Sequence, residues 1–235
     1  VAILGAIGLI IGALSVTGLV GSIATDLVLL AGGNVYALLF MGAATSFILG
    51  MGMTVTAAYV FLAIVLAPSL VSAGLDPMAV HMFILYWGML SYITPPVALG
   101  AFAAATISGA TPMRAGFSAM RLGSIIYFIP FFFVLEPALI LNGEPVQILV
   151  VLASALAGVL LIASSTQGYL IGYGTFGDGT MAMVIRTIVF IAGLLFAFPG
   201  SEDLGVTHWD AVIAGAVMVV LGLGVGLATR KIAPG

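Results

Sequence analysis

Two short polar runs interrupt otherwise apolar sequence in the first half of the chain. The first is Gly50-Met51-Gly52-Met53-Thr54-Val55-Thr56, and the second is Thr94-Pro95-Pro96, which closely follows Ser91. Glycine and proline weaken or break helices, and a helix broken inside lipid leaves backbone groups that only protein or a polar cavity can satisfy. Two such breaks within one short region predict a binding site.

The chemistry available at the breaks is that of neutral oxygens and helix ends. Helical segments that end at Leu49 and Ile93 bring free carbonyl groups to the breaks, and such groups suit a sodium ion. Segments that begin after the breaks bring free N–H groups and a partial positive charge, which suit a carboxylate. Thr54, Thr56, Ser91 and Thr94 add neutral oxygens, and Gly50 and Gly52 allow the backbone to approach an ion closely.

Two other interpretations of these residues stay open. Glycine and proline are frequent in membrane helices, where they also mark simple kinks and close helix packing, as in a membrane scaffold that transports nothing. Asp26 lies in an apolar run, and an ionisable residue inside a membrane span is a functional candidate, here for a proton-coupled carrier. Motifs of metalloproteases, serine hydrolases and P-loop proteins are absent from the sequence, so we predict no enzyme.

The composition identifies the setting of this site. Of 235 residues, 63% are hydrophobic and 6% charged, whereas soluble domains carry about 25% charged residues. Apolar runs recur along the whole length without the alternation of a transmembrane barrel. The sequence therefore predicts an all-α, multi-pass integral membrane protein, a helical bundle that contains a re-entrant hairpin and a broken transmembrane helix. Without cysteine, it has no disulfides.

The re-entrant hairpin is predicted at 35–71 from the length of its arms. Each arm, 35–49 and 57–71, has about 15 residues and reaches only about 22 Å, short of the ~30 Å hydrocarbon core. The broken helix is predicted at 78–107, after Asp76 as helix N-cap and Pro77 as first helical residue. Its two halves flank Thr94-Pro95-Pro96.

The remaining elements follow from hydropathy and charge. We predict a first span within 1–31, an interfacial helix at 112–120 and a full span at 122–141, which close a transport region over 1–142. Extra transmembrane helices fill 143–235, with spans at 146–164, 181–198 and 211–228. Because the chain begins within an apolar run and lacks an initiator Met, we expect it to be part of a longer protein.

Charge predicts the orientation in the membrane. When the predicted spans are threaded, the basic residues fall on one side, which is cytoplasmic by the positive-inside rule. The C-terminus is then cytoplasmic as well. The basic set comprises Arg114, Arg121, Arg186, Arg230 and Lys231, and the opposite side receives Asp76, Glu144, Glu202, Asp203 and Asp210.

Several motifs together resemble one transporter family. They are Gly50-Met51-Gly52-Met53-Thr54-Val55-Thr56-Ala57-Ala58-Tyr59, Ala67-Pro68, Gly74-Leu75-Asp76-Pro77 and Ile93-Thr94-Pro95-Pro96-Val97-Ala98. This combination resembles the large membrane subunit of TRAP (tripartite ATP-independent periplasmic) transporters, and especially the fused permeases that work with TAXI-type binding proteins. The likeness covers about residues 1–142, which correspond to the second inverted repeat of the transport region.

The resemblance implies a function and a set of partners. It implies a sodium-coupled elevator-type carrier of organic acids in the bacterial inner membrane, served by a periplasmic solute-binding protein. By the same resemblance, the hairpin tip and the second break would hold sodium and face substrate. The implied sodium ligands are Gly50, Met51, Gly52, Thr56, Ser91 and Thr94, and the implied substrate contacts are Thr54, Thr56, Thr94, Pro95 and Pro96. The first repeat and the small-subunit helices would be further partners, besides the lipid bilayer, and we expect neither nucleic acid nor a cofactor beyond the sodium ion. The sequence departs from the family at Thr54, where proline is usual, and at Val55, where threonine is usual.

Overall fold

The computed structural model describes residues 9, 12–13, 16–52, 54–200 and 205–232, and most of these are helical. The larger part of residues 1–15 in the predicted first span lies outside the described residues, as do Met53, Glu202 and Asp203. Three described helices are long and apolar enough to cross a membrane. The structure thereby confirms the prediction of an all-α membrane protein. Contacts divide the chain into two compact units, the first holding residues up to 120 with 126–137 and the second 121–125 with residues from 138 onward.

The first unit is built from short helices. They are α1 (Leu19–Leu30), α2 (Val35–Gly52), α3 (Val55–Val65), α4 (Ala67–Ser72), α5 (Pro77–Leu90), α6 (Leu99–Ser108), α7 (Pro112–Leu122), whose last two residues belong to the second unit, and α8 (Ile129–Leu135). Asp76 begins α5 as predicted, since its carboxylate accepts a hydrogen bond from the N–H of Ala79 at 2.9 Å and Pro77 is the first helical residue. Helices α2, α3 and α4 all pack against α5, which buries Phe83 and Ile84 completely.

The two predicted breaks are present, with different limits. The hairpin break is narrower than expected, because α2 continues to Gly52 and α3 begins at Val55. The second arm is divided again at Leu66, one residue before the Ala67-Pro68 start of α4. The break in the second helix is longer than Thr94-Pro95-Pro96, because α5 ends at Leu90 and α6 begins only at Leu99.

Residues 122–141 differ most from the prediction of one continuous span. They form a 3-10 turn at Ser124–Tyr127, the seven-residue α8 and a second 3-10 turn at Pro137–Ile140. The physical reason lies in two prolines. Pro130 and Pro137 each lack the N–H that would continue a helical ladder, and each stands at or next to the start of one of these pieces. A prediction based on hydropathy alone does not detect these breaks in the helix.

The second unit holds the three helices that could cross a membrane, near the limits predicted from hydropathy. They are α9 (Pro145–Gln167), α10 (Thr180–Ala197) and the first 19 residues of α11 (His208–Ile232). Helix α10 packs against both α9 and α11. The loop between α9 and α10 contains a small antiparallel hairpin, in which β1 (Tyr169–Leu170) pairs with β2 (Gly174–Thr175). Sequence analysis does not predict this hairpin.

Candidate ion and substrate site

The two breaks meet where α2 packs against α5. A Cβ atom on Gly50 would overlap the backbone carbonyl of Gly88, so the helices approach this closely only because residue 50 is glycine. The hydroxyl of Ser91, 1% exposed, lies 2.9 Å from the carbonyl oxygen of Gly50 and 3.0 Å from that of Gly88. Its single proton serves one carbonyl at a time. Three oxygen atoms therefore converge between the end of α2 and the end of α5.

The backbone of the second break is held by hydrogen bonds of its own. The carbonyl oxygen of Tyr92 accepts from the N–H of Gly100 at 2.9 Å and from that of Ala101 at 3.4 Å. Ala98 has the left-handed φ of 36°, which is strained for a residue other than glycine. Such strain is typical of functional sites, and the first turn of α6 folds back onto the carbonyl that follows α5.

Thr94 lies within this break and is 7% exposed. Its hydroxyl donates to the carbonyl oxygen of Leu90 at 2.7 Å and lies 2.5 Å from the hydroxyl of Tyr127. Because the Thr94 proton is used on Leu90, Tyr127 is the donor of the second bond. Pro95 is packed against α7, where a Cβ on Gly116 would come within 2.7 Å of the proline ring.

The threonines of the hairpin have different environments. Thr54 is the N-cap of α3, and its hydroxyl accepts from the N–H of Ala57 at 3.3 Å. Thr56 is exposed, one residue into the same helix. The Thr54 side chain thus caps the start of α3. The hydroxyl of Thr54 is therefore already engaged by protein.

A cavity of about 450 Å³ lies beside both breaks. Its wall includes Val55 from the start of α3 and Tyr92 and Ile93 from the break after α5. The other lining residues are Met89, Leu90 and Ile126, so no charged side chain among the described residues lines the cavity. A carboxylate bound here would depend on helix N-termini and hydroxyl groups for its stabilisation.

The structure brings some of the predicted residues together and adds others. Gly50 and Ser91 are in direct contact, and the hydroxyl of Thr94 donates to the carbonyl oxygen of Leu90, four residues earlier. Sodium and substrate contacts at Met51, Gly52, Thr56 and Pro96 stay predictions. Sequence analysis missed Tyr127, which reaches Thr94 from 33 residues away with no local signal. It also missed Gly88, although the small residue three positions before Ser91 was a signal for close helix packing.

Comparison with known proteins gives the family. Neither the curated proteins nor the solved structures gave a match to this chain. The family model described as tripartite ATP-independent periplasmic transporter, DctM component, matches residues 1–148 and so covers all of the breaks described above. That match extends over more than half of the chain and agrees with its helical membrane architecture. The chain therefore belongs to the DctM family, as a membrane permease component of a TRAP transporter.

Proposed function

We propose that this chain forms part of a sodium-coupled carrier that takes up small organic acids delivered by a periplasmic binding protein. The carrier resides in the bacterial inner membrane with the C-terminus of this chain in the cytoplasm, and it requires the first repeat and the small-subunit helices. We further propose that it is a fused permease of the TAXI-associated type, in which the second unit supplies extra transmembrane helices.

The observation that carries this proposal is the contact between Ser91 and Gly50. Two helices end close together, and one carbonyl group from the last turn of each lies beside the buried hydroxyl of Ser91. Such an arrangement offers oxygen ligands without a formal charge, which suits a monovalent cation that must bind and leave in each transport cycle. In this proposal Gly50, Met51, Gly52, Thr56, Ser91 and Thr94 surround the sodium ion.

The substrate would bind beside the ion. The predicted substrate contacts lie in sequence next to residues that line the 450 Å³ cavity. Thr54 and Thr56 flank the lining residue Val55, and Thr94, Pro95 and Pro96 directly follow the lining residue Ile93. The start of α3 at Val55 faces this cavity, and its N-terminal amide groups provide a positive partial charge for a carboxylate. Bound sodium would add a full positive charge, which couples the two ligands electrostatically.

Uptake by the reconstituted whole permease with its binding protein tests the proposal. Replacing sodium by potassium should reduce uptake to background. Thr94→Ala should raise the sodium concentration for half-maximal uptake about tenfold, equivalent to about 1.4 kcal/mol. Ser164→Ala is the matched control, because the Ser164 hydroxyl donates only to its own helix, at the carbonyl of Leu160.

Other outcomes would favour the alternatives. Uptake that persists without sodium but disappears in Asp26→Asn would support proton coupling, since Asp26 is an exposed carboxylate on α1. Wild-type uptake that depends on neither sodium nor Asp26 would reject both coupling mechanisms. A permease that gives no uptake with any tested organic acid would support the scaffold interpretation.

A further inference from the structure

The second unit contains a polar cavity lined by residues of that unit. It has a volume of about 470 Å³ and lies where α9 ends and α10 begins. Residues of both charge signs line it, Asp178 and Arg186, together with Gly179 at the start of α10. Met183 and Phe190 continue the wall along one face of α10. We propose that this cavity binds the phosphoethanolamine headgroup of a membrane phospholipid.

Arg186 is positioned to bind the phosphate group. Its Nε donates to the carbonyl oxygen of Ser165 at 2.7 Å and its Nη2 donates to that of Thr166 at 2.8 Å. These bonds fix the plane of the guanidinium group at the end of α9. Within the described residues, Nη1 has no hydrogen-bond partner, so its two donors are available to an anion.

The start of α10 adds further donors. Gly179 is its N-cap and offers no side-chain acceptor, so the first amide groups of α10 lack a cap within the described chain. The open space around Gly179, where a Cβ would contact nothing within 4 Å, leaves room for a ligand at this helix end. A phosphate between Arg186 and these amides would be bound by charge-assisted hydrogen bonds.

Asp178 explains why the ligand should be zwitterionic. The carboxylate lines the same cavity as Arg186, but within the described residues it has neither a hydrogen bond nor an ion pair, with Arg186 or any other group. Two opposite charges that share a cavity without pairing fit a ligand that carries both signs. A purely anionic headgroup would be repelled by Asp178, whereas the ammonium group of phosphoethanolamine would be attracted to it.

The position of the cavity fits a lipid better than a free solute. Helices α9 and α10 are both membrane-span candidates, so their adjoining ends lie at headgroup depth. Met183, 70% exposed, and Phe190, half-buried, form an apolar path that leads from the charged end along α10. This path suits the start of an acyl chain.

Native mass spectrometry of the whole permease tests this proposal, with nanodiscs of equal phosphatidylethanolamine and phosphatidylglycerol content as the lipid source. Wild type should retain phosphatidylethanolamine in preference to phosphatidylglycerol. Asp178→Asn should lower that preference about fivefold, equivalent to about 1 kcal/mol. Arg186→Gln should reduce retention of both lipids. Glu144→Gln is the matched control, since it removes one carboxylate at the opposite end of α9 and should leave the preference unchanged.

Several results would overturn the proposal. Equal or greater retention of phosphatidylglycerol by wild type would reject the role of Asp178, as would an unchanged preference in Asp178→Asn. If millimolar inorganic phosphate displaced the lipid as well as free phosphoethanolamine did, the site would be a phosphate site rather than a headgroup site. Because Asp178 has no internal partner among the described residues, its variant tests the site even if Arg186→Gln fails to fold.

Discussion

The hydroxyl of Ser91 donates to the carbonyl oxygen of Gly50 across 41 positions of the sequence, at a distance of 2.9 Å. This bond joins the end of α2 to the end of α5 inside a unit whose buried residues are mostly apolar. In such surroundings a carbonyl that loses its partner has no water to replace it. The bond therefore supports the geometry of the break whether or not an ion is bound.

Ser91→Ala should destabilise the protein by about 1 kcal/mol, because it leaves the buried carbonyl of Gly50 without this donor. Ser46→Ala on α2 provides the comparison. The Ser46 hydroxyl is completely buried and has no partner within the described structure, so its removal should be neutral or stabilising. Thermal unfolding in detergent, without sodium, measures both. Equal losses in the two variants would contradict the importance of the Ser91 bond.

Gly50→Ala should be more disruptive, with a cost of about 1–3 kcal/mol, because the new methyl group overlaps the backbone of Gly88 and no rotamer change can relieve it. Gly42→Ala, on the same helix, should be tolerated. A methyl group there would meet only the flexible side-chain ends of Leu66 and Leu70, at 3.4–3.7 Å. Both the unfolding temperature and the rate of uptake should be lower for Gly50→Ala than for Gly42→Ala. A stable, active Gly50→Ala protein would show that α2 and α5 need not approach so closely.

Much of this architecture could be predicted from sequence because the signals are local. The helix start at Asp76 depends on residues within one turn, and the spans of the second unit depend on continuous hydropathy. Both breaks were found from glycine and proline. The limits of the breaks could not be predicted in the same way. The length of the second break depends on a non-local feature, the folding of the first turn of α6 back onto the carbonyl of Tyr92.

The contacts that complete the site are not local, and they escaped prediction. Nothing near Tyr127 in the sequence indicates that its hydroxyl reaches Thr94, and the fragmented segment that carries Tyr127 was predicted to be one helix. The cavity beside Val55 and Ile93 likewise exists only because separate elements converge. Sequence patterns could identify residues with suitable oxygen atoms. They could not determine which of these hydroxyl groups are already hydrogen-bonded within the protein.

Two arginines share one helix end in the second unit, which predicts a non-additive effect. The carbonyl oxygen of Thr166 accepts from Nε of Arg121 and from Nη2 of Arg186, both at 2.8 Å. Arg121→Lys or Arg186→Lys alone should lower the unfolding temperature modestly, because the other guanidinium still serves this carbonyl. The double variant should lose more than the sum of the two losses. Additive losses in unfolding free energy would show that the two arginines stabilise this end independently.

The packing of α9 against α10 depends on glycine at the contact. A Cβ on Gly193 would come within 2.7 Å of the Ile162 side chain and 2.8 Å of the Gly158 carbonyl. Gly193→Ala should therefore separate the two helices and destabilise the unit by about 1–3 kcal/mol. Gly224→Ala, on α11, adds the same methyl group where nothing lies within 4 Å, and it should stabilise the helix by roughly 0.5–1 kcal/mol. Unfolding by denaturant in mixed micelles distinguishes the two, and equal changes in stability in the two variants would show that the close contact at Gly193 does not determine the outcome.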